Sequence, residues 1–271
     1  MGAGPSCRHP EDPVTYSTLH LLRELIRRDL TARFTGSALG LAWAILQPLS
    51  LVVLYWFVFT FMIPGGRIPG GRAGGSGDQY IYFLIAGLIP WLGISEGLSR
   101  ATTAVVDHSA IVRRMPLRSE LLVIVPSATA MIFECVGLAI FVAARLVQGL
   151  PLTNLWLLPA ALILQLLLQA GLGFVLAAMY VFFRDVTQIL GFALAIAFYL
   201  SPILYPVAGR FEKFFFWNPM TPLLGLFRSA MLAAPLPDVR SIVFLLTIAA
   251  VLCGGGLLFF RRVQPSLVDV I

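Results

Sequence analysis

Long apolar runs alternate with short polar segments along most of the chain. A transmembrane helix needs about 20 mostly apolar residues. Six runs reach or approach that length, at residues 39–63, 80–99, 121–147, 156–183, 189–205 and 241–260, and the fifth is the shortest. The pattern predicts an all-α polytopic membrane protein with six transmembrane helices. One transmembrane domain would cover residues 19–271, after a flexible tail at residues 1–18.

A different pattern precedes the first predicted span. Apolar residues recur there every three or four positions, at Leu19, Leu22, Ile26, Leu30 and Phe34. Charged residues, including Arg27 and Arg28, occupy the other faces. A basic amphipathic helix of this kind is typical of a segment that lies in the membrane interface. The same arginines would also serve as a simple anchor for the first span, so the residues alone leave both interpretations open.

Composition and charge support a membrane protein and indicate its orientation. The chain is 59% hydrophobic and 12% charged, whereas soluble domains carry about 25% charged residues. We attribute the net charge of +6 to loops beside anionic lipid, and not to nucleic-acid binding. An even number of spans puts both termini on one side. Cytoplasmic termini place most of the 19 Lys and Arg inside, as the positive-inside rule requires.

The segment between the fifth and sixth predicted spans is unusual. Residues 206–240 form a long external segment that is nevertheless rich in Phe, Leu and Trp. Such a segment is predicted to return into the membrane as a re-entrant hairpin, covered by protein. Thr221 and Pro222 have the pattern of a helix N-cap and first residue, and Pro235 would end that helix.

Signatures of catalysis or cofactor binding are missing from the sequence. The Gly-rich segment 64–79 lacks the GK[ST] ending of a phosphate-binding loop, and Lys213 is the only lysine. The three cysteines have no CxxC spacing, and the histidines lie outside the predicted spans. We therefore expect no catalytic residue, no metal and no cofactor bound by this chain.

A few polar and aromatic residues inside the spans are candidates for a substrate path. Glu134 lies in the middle of a span, where an ionisable group is costly and often functional, although it could also be a packing contact between helices. Aromatic side chains there are either an interfacial belt or stacking surfaces for sugar rings. The candidate path residues are Trp43, Gln47, Tyr55, Trp91, Glu134, Tyr199 and Tyr205.

Several ordered motifs resemble a known family. They are "LIRRDLTARFTGSALGLAWAILQPL", "YFLIAGLIPWLGISEGLSRAT", "IVRRMPLRSELL", "LAAMYVFFRDVTQIL", "YLSPILYPV", "WNPMTPLLGLFRSAML" and "FFRRVQPSLVDVI". In this order they resemble the membrane permeases of type-2 ABC exporters that move polysaccharides such as O-antigen, capsule or teichoic-acid chains. The Gly-rich segment 64–79 departs from that pattern, and so does Glu96, where uncharged polar residues are more usual.

The resemblance implies a permease rather than an enzyme, in the bacterial cytoplasmic membrane. Two copies of the chain would form a channel lined by the first, second and fifth spans. Two copies of a separate ABC ATPase would hold ATP and Mg²⁺, and the substrate would be a lipid-linked polysaccharide. The residues implied in coupling to the ATPase are Arg27, Arg28, Arg113, Arg114 and Pro116. Those implied in an external gate are Phe211, Trp217, Pro219 and Arg228.

Two other functions remain open from the sequence. A type-2 ABC permease for a drug or a lipid has the same composition. A membrane enzyme acting on a polyprenyl-linked substrate belongs to a different class, and the missing clusters of acidic residues count against it.

Overall fold

The computed structural model describes residues 18–34, 40–43, 46, 49–50, 53–54, 57–58, 77–109, 119–150, 152–207 and 212–270. Every regular element within these ranges is helical. The α-helices are α1 (Thr18–Phe34), α2 (Gly77–Asp107), α3 (Ser119–Val147), α4 (Leu158–Phe182), α5 (Val186–Leu200), α6 (Glu212–Phe216), α7 (Met220–Leu232) and α8 (Val239–Val270). Short 3₁₀ turns lie at Gly40–Ala42 and, just before α4, at Leu155–Leu157.

Four of the described helices are long and apolar enough to cross a membrane. They are α2, α3, α4 with its preceding 3₁₀ turn, and α8, so the second, third, fourth and sixth predicted spans are confirmed as helices of sufficient length. The first predicted span falls largely outside the described residues, and the six-span count therefore stays a prediction.

The fifth predicted span is a shorter helix than expected. Helix α5 has 15 residues and ends at Leu200, whereas the apolar run continues to residue 205. Pro202 explains the difference, because a proline disfavours helical backbone at the residue before it, and Ser201 is extended. At 1.5 Å per residue α5 is about 22 Å long, against about 30 Å for the hydrocarbon core.

Helices α4 and α8 form the most extensive helix pair in the described part of the chain. Their backbones approach closely at Gly171 and Gly256. A Cβ atom at Gly171 would lie 2.6 Å from the backbone nitrogen of Cys253, and one at Gly256 would overlap the carbonyl of Gly171. Small residues at a helix crossing permit this close approach. The resulting van der Waals contact stabilises the helix pair in a membrane, where the hydrophobic effect does not drive helices together.

Helix α7 is the most enclosed short element. Its residues from Pro222 to Met231 are largely buried, and it packs against α2 and α4. It begins at Met220, whose N–H donates to Oδ1 of Asn218 at 2.9 Å. The predicted N-cap at Thr221 is therefore wrong, because the Asn218 side chain starts the helix earlier. Pro222 still lies in the first turn, where a proline is tolerated. The depth of α7 in the membrane stays a prediction.

The amphipathic pattern of residues 19–34 is confirmed as helix α1. Its apolar positions Leu22, Ile26 and Leu30 are half-buried, and α1 packs against α3. Arg27 and Arg28 are exposed. The hydrophobic stripe therefore faces the bundle, and the basic face is free to meet headgroups or another protein.

Candidate functional site

Two ion pairs join α1 to α2. Arg33 NH2 lies 2.6 Å from Oε1 of Glu96, and Arg100 NH2 lies 2.5 Å from Oδ1 of Asp29. In each helix the acidic residue precedes the arginine by one turn, so both pairs form together only when the helices run in opposite directions. This arrangement fixes an antiparallel register for α1 on α2, because a shift of one turn would bring like charges together.

Arg33 also contacts α3. Its guanidinium carbon lies 4.2 Å from the centroid of the Phe133 ring, which is the geometry of a cation–π interaction. One side chain at the end of α1 therefore contacts both α2 and α3.

A cavity of about 320 Å³ lies beside Arg33, between α2 and α3. Its polar lining comes from Arg33, Ser95, Glu96, Ser99 and Glu134. Ile89, Leu92 and Phe133 supply much of its apolar wall. The cavity therefore combines one cationic group, two acidic groups and two hydroxyls with a hydrophobic surface.

Glu134 lies at the buried end of this cavity. Its side chain is only 4% exposed, and one carboxylate oxygen accepts a hydrogen bond from Nε2 of Gln165 on α4. One turn further along α4, Gln169 Nε2 donates to the carbonyl of Gly93 at 2.8 Å. A Cβ atom at Gly93 would overlap the Glu134 carboxylate. Glycine at position 93 therefore lets α2, α3 and α4 meet around one buried polar group.

A second polar site lies at the end of α5. The guanidinium of Arg228 is 7% exposed and donates to the carbonyl of Ile203 at 3.2 Å. Its Nε donates to the carbonyl of Phe83 at 3.4 Å, and its guanidinium carbon lies 3.5 Å from the centroid of the Phe83 ring. Tyr80 donates to the carbonyl of Leu204 at 3.0 Å. Side chains of α7 and α2 therefore donate to backbone carbonyls of the non-helical segment that follows α5.

Aromatic and amide groups complete this site. Trp91 is buried, with its ring centroid 5.8 Å from that of Phe198. Tyr205 donates to the carbonyl of Tyr199, and Asn218 Nδ2 donates to the carbonyl of Leu200 at 3.0 Å. We call residues 199–207, together with Tyr80, Asn218 and Arg228, the α5 terminal clamp.

The structure brings some predicted path residues together and separates others. Trp91 packs close to the α5 terminal clamp, which contains Tyr199 and Tyr205. Glu134 lies elsewhere, in the cavity near α1. Tyr199 is 65% exposed and Trp43 is 49% exposed, while Gln47 and Tyr55 lie outside the described residues. Their role in a substrate path stays a prediction.

The predicted coupling and gate residues divide in a similar way. Arg27 and Arg28 are exposed on α1, whereas Arg113, Arg114 and Pro116 lie outside the described residues. In the predicted gate, Trp217 is 71% exposed, Pro219 precedes α7, and Phe211 lies outside the described residues. Arg228 is the member whose contacts are best defined, because it joins α7 to α2 and to the end of α5.

The ion pairs between α1 and α2 are the feature that the sequence analysis missed. A signal was present in the spacing, since Asp29 and Arg33, like Glu96 and Arg100, are an acid followed four residues later by an arginine, a pattern that is complementary when two helices run antiparallel. Glu96 also stands out as an acid within an apolar run. Among the described residues, no group of three His, Cys, Asp or Glu side chains is placed to hold a metal ion.

The chain aligns over nearly its whole length with several known proteins that have related names. The chain is 26% identical over 266 residues to the O-antigen export system permease protein RfbA of Myxococcus xanthus, covering 94% of this chain and 97% of the relative. It is 23% identical over 260 residues to a protein of the same name from Klebsiella pneumoniae, covering 93% and 95%. It is 22% identical over 255 residues to the polysialic acid transport protein KpsM of Escherichia coli, covering 90% and 93%.

A match to a protein-family model identifies the family of this chain. The model described as ABC-2 type transporter matches residues 20–232. That range runs from α1 to the end of α7, so it includes both ion pairs, the cavity and the α5 terminal clamp. This chain belongs to the ABC-2 type transporter family.

Proposed function

We propose that this chain is the permease subunit of an ATP-driven exporter that moves a polysaccharide, carried on a lipid, across the bacterial cytoplasmic membrane. The observation that carries the proposal is the near-complete alignment with relatives named for O-antigen export and polysialic acid transport, which covers at least 90% of this chain in each comparison quoted above. An alignment of that length includes the helices that would form a pathway as well as those that only anchor the chain.

ATP hydrolysis belongs, in this proposal, to two copies of a separate ABC ATPase on the cytoplasmic side. The sequence has no phosphate-binding loop, and its only lysine is Lys213. Helix α1 would receive the motion of the ATPase through its exposed Arg27 and Arg28. Its ion pairs with Glu96 and Arg100 would pass that motion to α2, since a rigidly held helix transmits a displacement better than a loosely held one. The 110–118 segment, with Arg113, Arg114 and Pro116, would form the rest of this docking surface.

A second copy of the chain would complete the channel. Helix α5 contacts α2 and α4 but leaves much of its surface exposed, including Ile189, Phe192, Ile196 and Tyr199. This surface suits a homodimer contact or a channel wall with the first and second spans. Aromatic side chains on such a wall present flat faces to sugar rings. Each ring would bind weakly, so the polysaccharide could slide along the wall.

The external end would be shaped by the re-entrant segment between the fifth and sixth spans. Helix α7 has 13 residues, about 20 Å at 1.5 Å per residue, which is too short to cross the hydrocarbon core. In this proposal it enters from outside and returns, and Arg228 holds it against the end of α5. Trp217 and Pro219 would narrow the exit together with Phe211.

Deletion of the gene in its own host tests this function. The proposed function predicts that long-chain surface polysaccharide disappears and that the same polymer accumulates inside the cell, and that a plasmid copy reverses both changes. Unchanged surface polysaccharide together with a changed sensitivity to drugs would instead favour a permease for small molecules. Loss of the polymer both inside and outside would favour an enzyme of its synthesis.

A further inference from the structure

The cavity between α1, α2 and α3 lies close to one membrane boundary. At the far end of α2, the Arg145 guanidinium lies 5.1 Å from the centroid of the Tyr82 ring, and at the near end Arg100 pairs with Asp29. The distance from Tyr82 to Arg100 along α2 is about 27 Å at 1.5 Å per residue, which matches a hydrocarbon core of about 30 Å. Glu134 is level with Gly93, about 10 Å inside the boundary at Arg100.

The charges of the cavity favour a particular ligand. Arg33 and Glu96 neutralise one another at its mouth, where Ser99 is exposed and Glu96 is partly exposed. Glu134 lies at the buried end, and no donor among the described residues reaches its Oε1. A buried carboxyl oxygen without a donor is costly. The inner end of the cavity is therefore suited to a positively charged hydrogen-bond donor. The guanidinium of Arg33 has five N–H donors, so it can contact an anion near the mouth while it remains paired with Glu96.

We propose that this cavity binds the headgroup of a phospholipid that carries a primary amine, such as phosphatidylethanolamine. The ammonium would donate to the carboxyl group of Glu134, which would turn its buried Oε1 toward the cavity, and the phosphate would lie against Arg33 and Ser99. Ile89, Leu92 and Phe133 would contact the glycerol and the first methylene groups. At about 320 Å³ the cavity is at the small end of ligand pockets, which range over roughly 300–1,000 Å³, so it accommodates a headgroup rather than a whole lipid.

Two features of the chemistry distinguish this ligand from other lipids of the membrane. A choline headgroup has no N–H to donate to Glu134, and its three methyl groups need more room. A glycerol headgroup has no positive charge, so it leaves the lipid anionic beside two acidic side chains. Binding of this headgroup is independent of the substrate that the transporter exports.

The test measures the thermal stabilisation of the purified full-length protein by short-chain phospholipids in detergent. Dioctanoyl phosphatidylethanolamine should raise the Tm at lower concentration than the choline or glycerol analogues. In Glu134→Gln this advantage should fall by about 10-fold or more in apparent affinity, the loss expected for one charge-assisted hydrogen bond. The variant should fold, because the amide can still accept from Gln165. Glu120→Gln is the matched control, since Glu120 pairs with Arg261 at 2.8 Å outside the cavity.

The remaining outcomes are equally informative. If free phosphoethanolamine stabilises the protein as well as the lipid does, the cavity recognises the headgroup alone. If inorganic phosphate stabilises the protein equally well, the proposed role of the amine is contradicted. Equal stabilisation by all three lipids, or an unchanged ethanolamine preference in Glu134→Gln, would overturn the proposal. If Glu134→Gln fails to fold, Leu92→Trp fills the cavity without changing its charge. That variant should lose the ethanolamine preference, and lipid extracted from it should contain less bound phosphatidylethanolamine than wild type.

Discussion

Arg33 at the end of α1 pairs with Glu96 inside α2, with 2.6 Å between NH2 and Oε1. The two side chains are 18% and 32% exposed, so water only partly screens the interaction. One turn away on each helix, Asp29 and Arg100 repeat the contact with the charges exchanged. The amphipathic helix is therefore joined to the transmembrane bundle by specific charge pairs as well as by its apolar stripe.

The first prediction concerns this ion pair. Arg33→Ala and Glu96→Ala should each destabilise the protein by about 1.5–3 kcal/mol, because each leaves a partly buried charge without its partner. The exchanged double variant, with Arg33→Glu and Glu96→Arg, should recover part of that loss, although the contact of Arg33 with Phe133 is not restored. Thermal unfolding in detergent measures the change.

Arg27→Ala is the control for that measurement, because Arg27 is exposed on the same helix. It should alter the Tm little. If the double variant were less stable than both single variants, the two charges would not stabilise one another, and the register of α1 on α2 would have another cause.

The second prediction concerns the crossing of α4 and α8. Gly256→Ala should destabilise the protein, by roughly 1–3 kcal/mol, because its Cβ would overlap the carbonyl of Gly171 and force the helices apart. Gly255→Ala is a matched control on the same helix, since a Cβ there meets nothing within 4 Å. That control should be neutral or stabilising, by up to about 1 kcal/mol, from the higher helix propensity of alanine. Equal Tm values for the two variants would contradict the close approach.

The third prediction concerns the α5 terminal clamp. Arg228→Ala removes the donors to the carbonyls of Ile203 and Phe83, and should reduce export strongly while the protein still inserts. Arg228→Lys should rescue little, because one ammonium group cannot reproduce the planar donor geometry and the stacking on Phe83. Surface polysaccharide per inserted permease is the quantity to measure. Arg240→Ala, an exposed arginine in α8, should leave that quantity unchanged, and wild-type export by Arg228→Ala would show that the clamp is dispensable.

The sequence predicted well those features that depend on local periodicity. The spacing of Leu22, Ile26 and Leu30 predicted α1, and the long apolar runs predicted α2, α3, α4 and α8. The end of α5 was misplaced because apolar residues continue beyond Leu200, while Pro202 changes the backbone without changing hydrophobicity. The start of α7 was misplaced because Asn218 caps it through a side-chain contact that a Thr-Pro pattern does not reveal.

Contacts between distant parts of the chain were harder to predict. Glu134 was recognised as unusual, but its hydrogen bond with Gln165 joins residues on different helices. The pairing of Arg33 with Glu96 depends on the antiparallel docking of α1 on α2, and the spacing of charges within each helix does not by itself show that these two helices are neighbours. The resemblance implies a place for Arg228 in an external gate, whereas its contacts join α7 to Phe83 on α2 and to Ile203 in the segment after α5.

The fourth prediction concerns orientation. In a variant without Cys7, Cys135 and Cys253, a cysteine at Thr153 should react with a membrane-impermeant thiol reagent applied to intact cells. A cysteine at Asp107 should react only after the membrane is opened. Both positions are exposed, and they lie at opposite ends of the α2–α3 pair. The reverse labelling pattern would place the termini outside the cytoplasm and would remove α1 from the side of the ATPase.

Transport by the reconstituted complex tests the central claim most directly. The permease and its ATPase are placed in liposomes with lipid-linked polysaccharide from the host, and protection of the polymer from an added glycan hydrolase reports its passage into the lumen. We predict protection that requires ATP, that is lost when the ATPase carries a substitution in its phosphate-binding lysine, and that does not occur with either subunit alone. Protection of the polymer without ATP would contradict the assignment as a polysaccharide exporter. The assignment would also be contradicted if the polymer were never protected while the complex hydrolysed ATP and moved a different lipid or a drug.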